Sequence, residues 1–317
     1  MAVLLVLLAA AVSGLGLVLL RKANQAEPER PGFSWARLWL MIRHRPLWLA
    51  GIVTMLAEFG LHALALSQST VTTVQLLVVM ELPFTLILSQ LILGGRLKYR
   101  EWAAIASMTL GIVVLLLALS PHGGHADEVP LGTWLIGLTV TVAAVAGILL
   151  ASRWAGRVAR TALAGIAAGM GAGLIAVVVK PVTAAVGHGV GALVTTWQTW
   201  ALILVSAAAF VLLQNALQAG RLVASQPGIT LANPVVAVLW GVLVFHEQVR
   251  GGWWLLGAAL GAVLLAVGAA LLSGSPLLDG YQEAPGDEEP RTSSPVPTAG
   301  EEDPNTPDDL DVSRSYA

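Results

Sequence analysis

VVMELPFTLIL, residues 78–88, and its echo ITLANPVVAVL, residues 229–239, decide how this chain is read. Each is an apolar run with a proline near its middle and one costly polar residue just ahead of that proline: Glu81 before Pro83, Asn233 before Pro234. Each proline also stands nineteen residues before a tryptophan, Trp102 and Trp253. Hydrophobic segments interrupted by proline at corresponding positions in two halves of a chain point to the binding site of a secondary transporter.

Composition sets the class. The 317 residues are 56% hydrophobic and 11% charged, with a mean hydropathy of +0.77. Soluble domains are nearer a quarter charged, so an all-α, polytopic membrane protein is expected. There is no cysteine, which excludes disulfides and thiolate metal sites. The net charge of −2 is unevenly shared. After Ser275, eleven acidic residues stand against two basic ones, which leaves +7 for the rest.

A spanning helix needs about 20 mostly apolar residues. Nine stretches qualify: 2–20, 47–66, 70–93, 102–120, 131–151, 161–179, 198–218, 223–245 and 254–273. The first reads as a retained helix rather than a secretory signal, because Arg21 and Lys22 follow the apolar core instead of preceding it. Phe33 to Ile42 is too short to span and reads as interfacial. Residues 182–197 read as a loop or a re-entrant piece. The connections after the odd-numbered spans through the seventh hold thirteen Lys and Arg residues, against Lys180 and Arg250 on the other side. By the positive-inside rule this predicts a multi-pass protein of the cell membrane, N-terminus outside and C-terminus cytoplasmic. The expected organisation is a first transmembrane half at 1–120, including the basic cytoplasmic loop 21–46. An extracellular loop at 121–130, a second half at 131–274 and a disordered acidic tail at 275–317 follow.

The last three spans of each half match in order: a helix, a proline helix, a short connection, a tryptophan and a small-residue helix. Their directions are opposite, so the halves are expected to be inverted repeats, which suits alternating access. Gly165, Gly169 and Gly173, then Ala103, Ser107 and Gly111, then Gly257 and Gly261, recur at helical spacing. Small residues so placed let helix backbones approach in lipid; a homodimer face is the alternative use. The eleven tryptophans are expected mostly at the interfaces, as an aromatic belt.

Glu58 and Glu81 fall near the middle of their helices. A charge there costs about 3 kcal/mol on insertion scales, so each is a candidate functional group. Thr54, Glu58 and His62 share one helix face; Glu81, Thr85 and Ser89 share another. Two close carboxylates invite a cation or a shared proton, because like charges resist simultaneous ionisation. From the second half, Gln214, Asn215, Gln218 and Asn233 offer neutral hydrogen-bonding groups. Pro83 and Pro234 are expected to break their helices and free carbonyls to line a cavity. The loop PHGGHADEVP adds His122, His125, Asp127 and Glu128, weak candidates for metal capture. No Walker loop, nucleophile elbow, zinc-protease helix or nucleic-acid surface is present, so neither an enzyme nor a nucleic-acid partner is expected.

The stretch ITLANPVVAVLWGVLVFHEQV resembles the drug/metabolite transporter (EamA) superfamily, where a proline helix ends in a glutamate thirteen residues on, here Glu247. In the first half Arg96 stands at that spacing. LWLAGIVTMLAEFGLHALALSQSTVTTV is similar to the NIPA-type magnesium transporter branch, which carries Val-Thr-Pro where this chain has Val71, Thr72 and Thr73. The resemblance implies a carrier of a small molecule or cation, with no bound cofactor and with Mg²⁺ or H⁺ as the transported or coupling ion. Glu58 and Glu81 would then be the metal-contacting groups. A non-transporting membrane scaffold acting through the acidic tail is the rival of a different class.

Overall fold

The computed structural model describes residues 1–25, 46–94, 97–124, 126, 129–219 and 222–273. Phe33 to Ile42, the acidic tail and three members of the histidine-acid loop, His125, Asp127 and Glu128, lie outside these. The order is α1 Ala2–Gln25, α2 Pro46–Gln68, α3 Val71–Val78, α4 Glu81–Leu93, α5 Tyr99–Leu119, α6 Leu131–Ser152, α7 Arg157–Val186, α8 Val190–Thr195, α9 Trp197–Gln218, α10 Leu222–Leu243 and α11 Trp254–Ser273. Among the described residues nine helical segments are long and apolar enough to cross a membrane, with α3 and α4 counted as one. Among the described residues the regular elements are all α-helices, and the nine apolar segments suggest a multi-pass membrane protein.

Two expected spans differ in form. The stretch 70–93 is interrupted at Val79–Met80, so α3 and α4 are separate helices. Pro83 sits in the first turn of α4, where its missing N–H leaves no ladder bond unmade. The helix expected at 161–179 runs on to Val186 with Pro181 inside it. The supposed loop at 182–197 is therefore the end of α7, a turn and the short α8. The echo is also imperfect: α10 runs unbroken through Pro227 and Pro234, so Pro234 is not a helix break.

The bundle is assembled at small residues. The most extensive pairings are α7 with α10, α5 with α11, α1 with α2 and α7 with α9. A Cβ on Gly165, Gly169 or Gly173 would run into the α10 backbone at Ser225, Ile229 or Asn233. A Cβ at Gly111 would lie 2.8 Å from the Gly261 carbonyl oxygen, and one at Gly261 equally close to that of Gly111. Both glycine stripes therefore serve packing within the chain. Lipid is as apolar as leucine, so this close fit replaces the hydrophobic drive of a water-soluble core.

Hydrogen bonds identify the two ends. His122 pairs with Gln248 in an antiparallel bridge, the Lys180 ammonium reaches the Ser69 carbonyl, and the Glu247 carboxylate reaches the first amides of α3. This gathers the α2–α3 turn, the chain after α5 and the chain after α10 at one end. Exposed Lys98, Arg100, Arg153, Arg157 and Arg160 mark the opposite, basic end, where Thr161 of α7 donates to the Ala219 carbonyl beyond α9. At the first end, Trp134 lies 5.4 Å from Trp197, 5.3 Å from Trp240 and 5.5 Å from Phe245. Trp134 and Trp240 are buried, which takes them out of the expected interfacial belt. Exposed Trp102, Trp154, Trp200 and Trp253 fit it.

Candidate functional site

Glu81 opens α4, ten residues from the start of α3 and twelve from the end of α4. It thus sits half-way along the bundle, in a first helical turn where unpaired amides and the helix dipole favour an acid. Pro83 loosens the ladder at this point, although Pro181, Pro227 and Pro234 lie inside unbroken helices. With no N–H at 83, Val79 accepts from Leu82 at 3.3 Å and Met80 from Phe84 at 3.1 Å, and the ladder changes register across two residues.

α1 supplies the partner. The Ser13 hydroxyl donates to Glu81 Oε1 at 2.7 Å. The approach depends on the next residue, because a Cβ at Gly14 would come within 3.0 Å of the Thr85 backbone nitrogen. Two residues further on, Gly16 admits α2 in the same way, against Thr54. The run Ser13-Gly14-Leu15-Gly16 therefore seats α1 between α2 and α4. Thr54 turns back to its own helix and donates to the Ala50 and Gly51 carbonyls at 2.9 and 2.7 Å. It is a packing residue rather than part of the polar face.

Glu58 lies ten residues from the end of α2, at the level of Glu81, and the two carboxylates are within electrostatic reach of one another. One turn along, His62 Nδ1 stands 3.7 Å from Glu58 Oε1. Its other nitrogen, Nε2, is 3.1 Å from Gln75 Nε2 of α3. With the Gln75 amide donating to Nε2, a neutral ring carries its proton on Nδ1, on the Glu58 side. A polar file thus runs Gln75, His62, Glu58, Glu81 and Ser13, drawn from four helices of the first half. Below it Thr85 donates to the Glu81 carbonyl at 2.7 Å. Ser89 is buried with no partner for its hydroxyl among the described residues.

Asn215 and Gln218 lie exposed on α9, and Gln214 is half-buried there. Asn233 is half-buried on α10, and its Oδ1 has no hydrogen-bond partner among the described residues. Its backbone carbonyl abuts Gly173. The residues that join the glutamates are Ser13 and Gln75, neither of which stood out in the sequence. Polar residues at helical spacing on α1 and α3 carry no charge, so nothing distinguished them from packing serines and glutamines.

No three His, Asp or Glu side chains converge as a cation cage among the described residues. His122 is tied to the chain around it, with Nδ1 2.9 Å from the Ser120 carbonyl. The second half instead carries an open apolar groove of about 530 Å³ between α6, α7 and α9, lined by Gly171, Ala208, Ala209, Met170 and Leu212 and bordered by exposed Leu204 and Val211.

No protein-family model matches the chain, and no solved structure matches it. It is similar to an uncharacterized protein of Corynebacterium glutamicum, 33% identical over 221 residues, which cover 68% of this chain and 75% of the relative.

Proposed function

The chain belongs to the same family as that Corynebacterium glutamicum protein, and we propose that it is a secondary-active transporter of the drug/metabolite type. The observation that carries this is the helix interrupted at Val79–Met80, with Glu81 at the interruption and Glu58 within its electrostatic reach. A helix that only spans has no use for either feature.

The packing pattern supports inverted repeats. α1 packs on α2 and α4 as α7 packs on α9 and α10, while α5 and α11 pair with each other. Exchanging α1–α5 for the set α7, α9, α10 and α11 returns the same arrangement, with α6 as the odd helix. Two such halves rock about a midplane chamber. The polar file of the first half takes the coupling proton or cation, and the open apolar groove of the second is a surface an organic molecule could use. The basic end faces the cytoplasm of a cell membrane.

A second reading is magnesium. Two carboxylates with an amide nearby suit an ion that keeps most of its waters and uses one or two acids. Flux into liposomes loaded with a pH gradient separates the readings. Proton coupling predicts organic-amine flux that Glu81→Gln uncouples from the gradient. Magnesium transport predicts Mg²⁺ flux that the same change abolishes. Flux of neither kind, or flux indifferent to both Glu58→Gln and Glu81→Gln, overturns the proposal.

A further inference from the structure

The turn joining α2 to α3 is held from the second half at both of its helix ends. Lys180 of α7 donates through Nζ to the carbonyls of Leu66, at 3.0 Å, and Ser69, which lie at and beyond the last turn of α2. Glu247 accepts from the amides of Val71, at 2.6 Å, and Thr72, at 3.2 Å, which open α3. Each charge sits at the helix end that its sign favours, where backbone groups lack helical partners. Thr70 completes the cap by accepting from the Thr73 amide at 3.2 Å.

Glu247 is carried by a segment that itself straps onto the first half. His122 and Gln248 exchange both backbone bonds at 3.1 and 2.9 Å, and the Arg250 amide donates to the Leu119 carbonyl at 2.9 Å. Glu247 is nearly fully buried. Gly241 leaves the space in which its carboxylate and the Thr72 hydroxyl lie side by side. That hydroxyl is buried and has no partner among the described residues.

We propose that Lys180 and Glu247 form the latch of a gate at this end of the bundle, shut in this structure, with Val79–Met80 as its hinge. The proposal rests on the transporter reading, since it names what controls access to that site. Three features make the arrangement a latch rather than a fixed staple. α3 is an eight-residue half-helix joined to α4 through Val79 and Met80, where Pro83 removes one N–H from the ladder and leaves a weakened joint at which it can bend. It carries Gln75, one turn beyond Val71, whose side chain meets His62, so a movement of α3 would uncover His62. Both charges bind main-chain groups at helix ends, which water satisfies as well when the seam opens. Release therefore leaves exposed, solvated caps instead of orphaned polar atoms.

The test uses the absence of native cysteine. Thr72→Cys removes a hydroxyl that makes no hydrogen bond and places one thiol in the seam. In nanodiscs, labelling of Cys at 72 by a sulfonated maleimide is expected to be slow, and at least fivefold faster when Glu247→Gln or Lys180→Met is added. A purely electrostatic effect on the thiol moves the two variants in opposite directions, because removing an acid favours the thiolate and removing a base disfavours it. Unchanged labelling in both variants, or changes of opposite sign, overturns the latch. Hydrogen exchange on the unaltered protein covers the case in which a variant fails to fold. The Val71 and Thr72 amides are expected to exchange faster than the α5–α11 seam around Gly111, and equal protection overturns the proposal. Neither readout needs a substrate. A positive result without any dependence of flux on Glu81 keeps the latch and removes the transporter reading; the converse result does the reverse.

Discussion

The Ser13 hydroxyl of α1 donates to the Glu81 carboxylate of α4 across 2.7 Å, joining residues 68 apart in sequence half-way along the bundle. It is the direct tie between the first helix and the broken one. A side-chain hydrogen bond contributes about 0.5–1.5 kcal/mol net. Ser13→Ala is expected to destabilise the detergent-purified protein by that order, read as a lowered thermal transition, and to weaken coupled flux. Ser13→Thr, which keeps a hydroxyl, should restore both. An unchanged melting curve for Ser13→Ala would show that the bond contributes nothing.

His62 and Gln75 should be energetically coupled. Their nitrogens are 3.1 Å apart and belong to different helices. A double-mutant cycle with His62→Ala and Gln75→Ala is expected to give an interaction energy of about 0.5–1.5 kcal/mol. His62 and Ser89, which have no contact to share, should give a cycle near zero.

Glycines in the seams and glycines in the open should respond with opposite sign. Gly169 faces the α10 backbone, whereas Gly60 and Gly147 have nothing nearby. Gly169→Val is expected to destabilise by about 1–3 kcal/mol or more through overpacking. Gly147→Ala and Gly60→Ala should stabilise slightly, by up to about 1 kcal/mol, from helix propensity alone. Thermal unfolding in detergent reads all three.

Trp240 is locked by one hydrogen bond within an aromatic cluster. Its Nε1 donates to Thr141 Oγ1 at 3.0 Å. Trp240→Phe and Thr141→Val should each cost about 1 kcal/mol, and together little more than either alone, because they remove the same bond.

The tail distinguishes a carrier from a scaffold. Truncation after residue 273 is expected to leave flux intact, since the polar file and the glycine seams all lie before it. A scaffold acting through the tail would instead lose its function on truncation and tolerate Glu81→Gln.

Much of the architecture was legible because membrane spans follow from local composition. Nine apolar stretches matched nine helical segments among the described residues to within a few residues at most ends, since about 20 apolar residues in lipid have few alternatives to a helix. Helix α7 departed most, by running on through Pro181. Gly165, Gly169 and Gly173 revealed a packing stripe because their four-residue spacing is a property of one helix. Pro83 and Glu81 marked the unusual helix. Pro234 was indistinguishable from Pro83 in pattern, yet its helix stays whole.

The helical class, the apolar stretches, the small-residue faces and the positions of the two glutamates along their helices could be read directly from the sequence, because each depends on residues near one another in the chain. Only the tertiary structure decided that Ser13 and Gln75 complete the polar file, that Asn215 and Gln218 lie apart on α9, and that Lys180 and Glu247 close the α2–α3 turn. Those contacts span 13 to 176 residues. They depend on which helix faces meet, and single-helix periodicity carries no record of that.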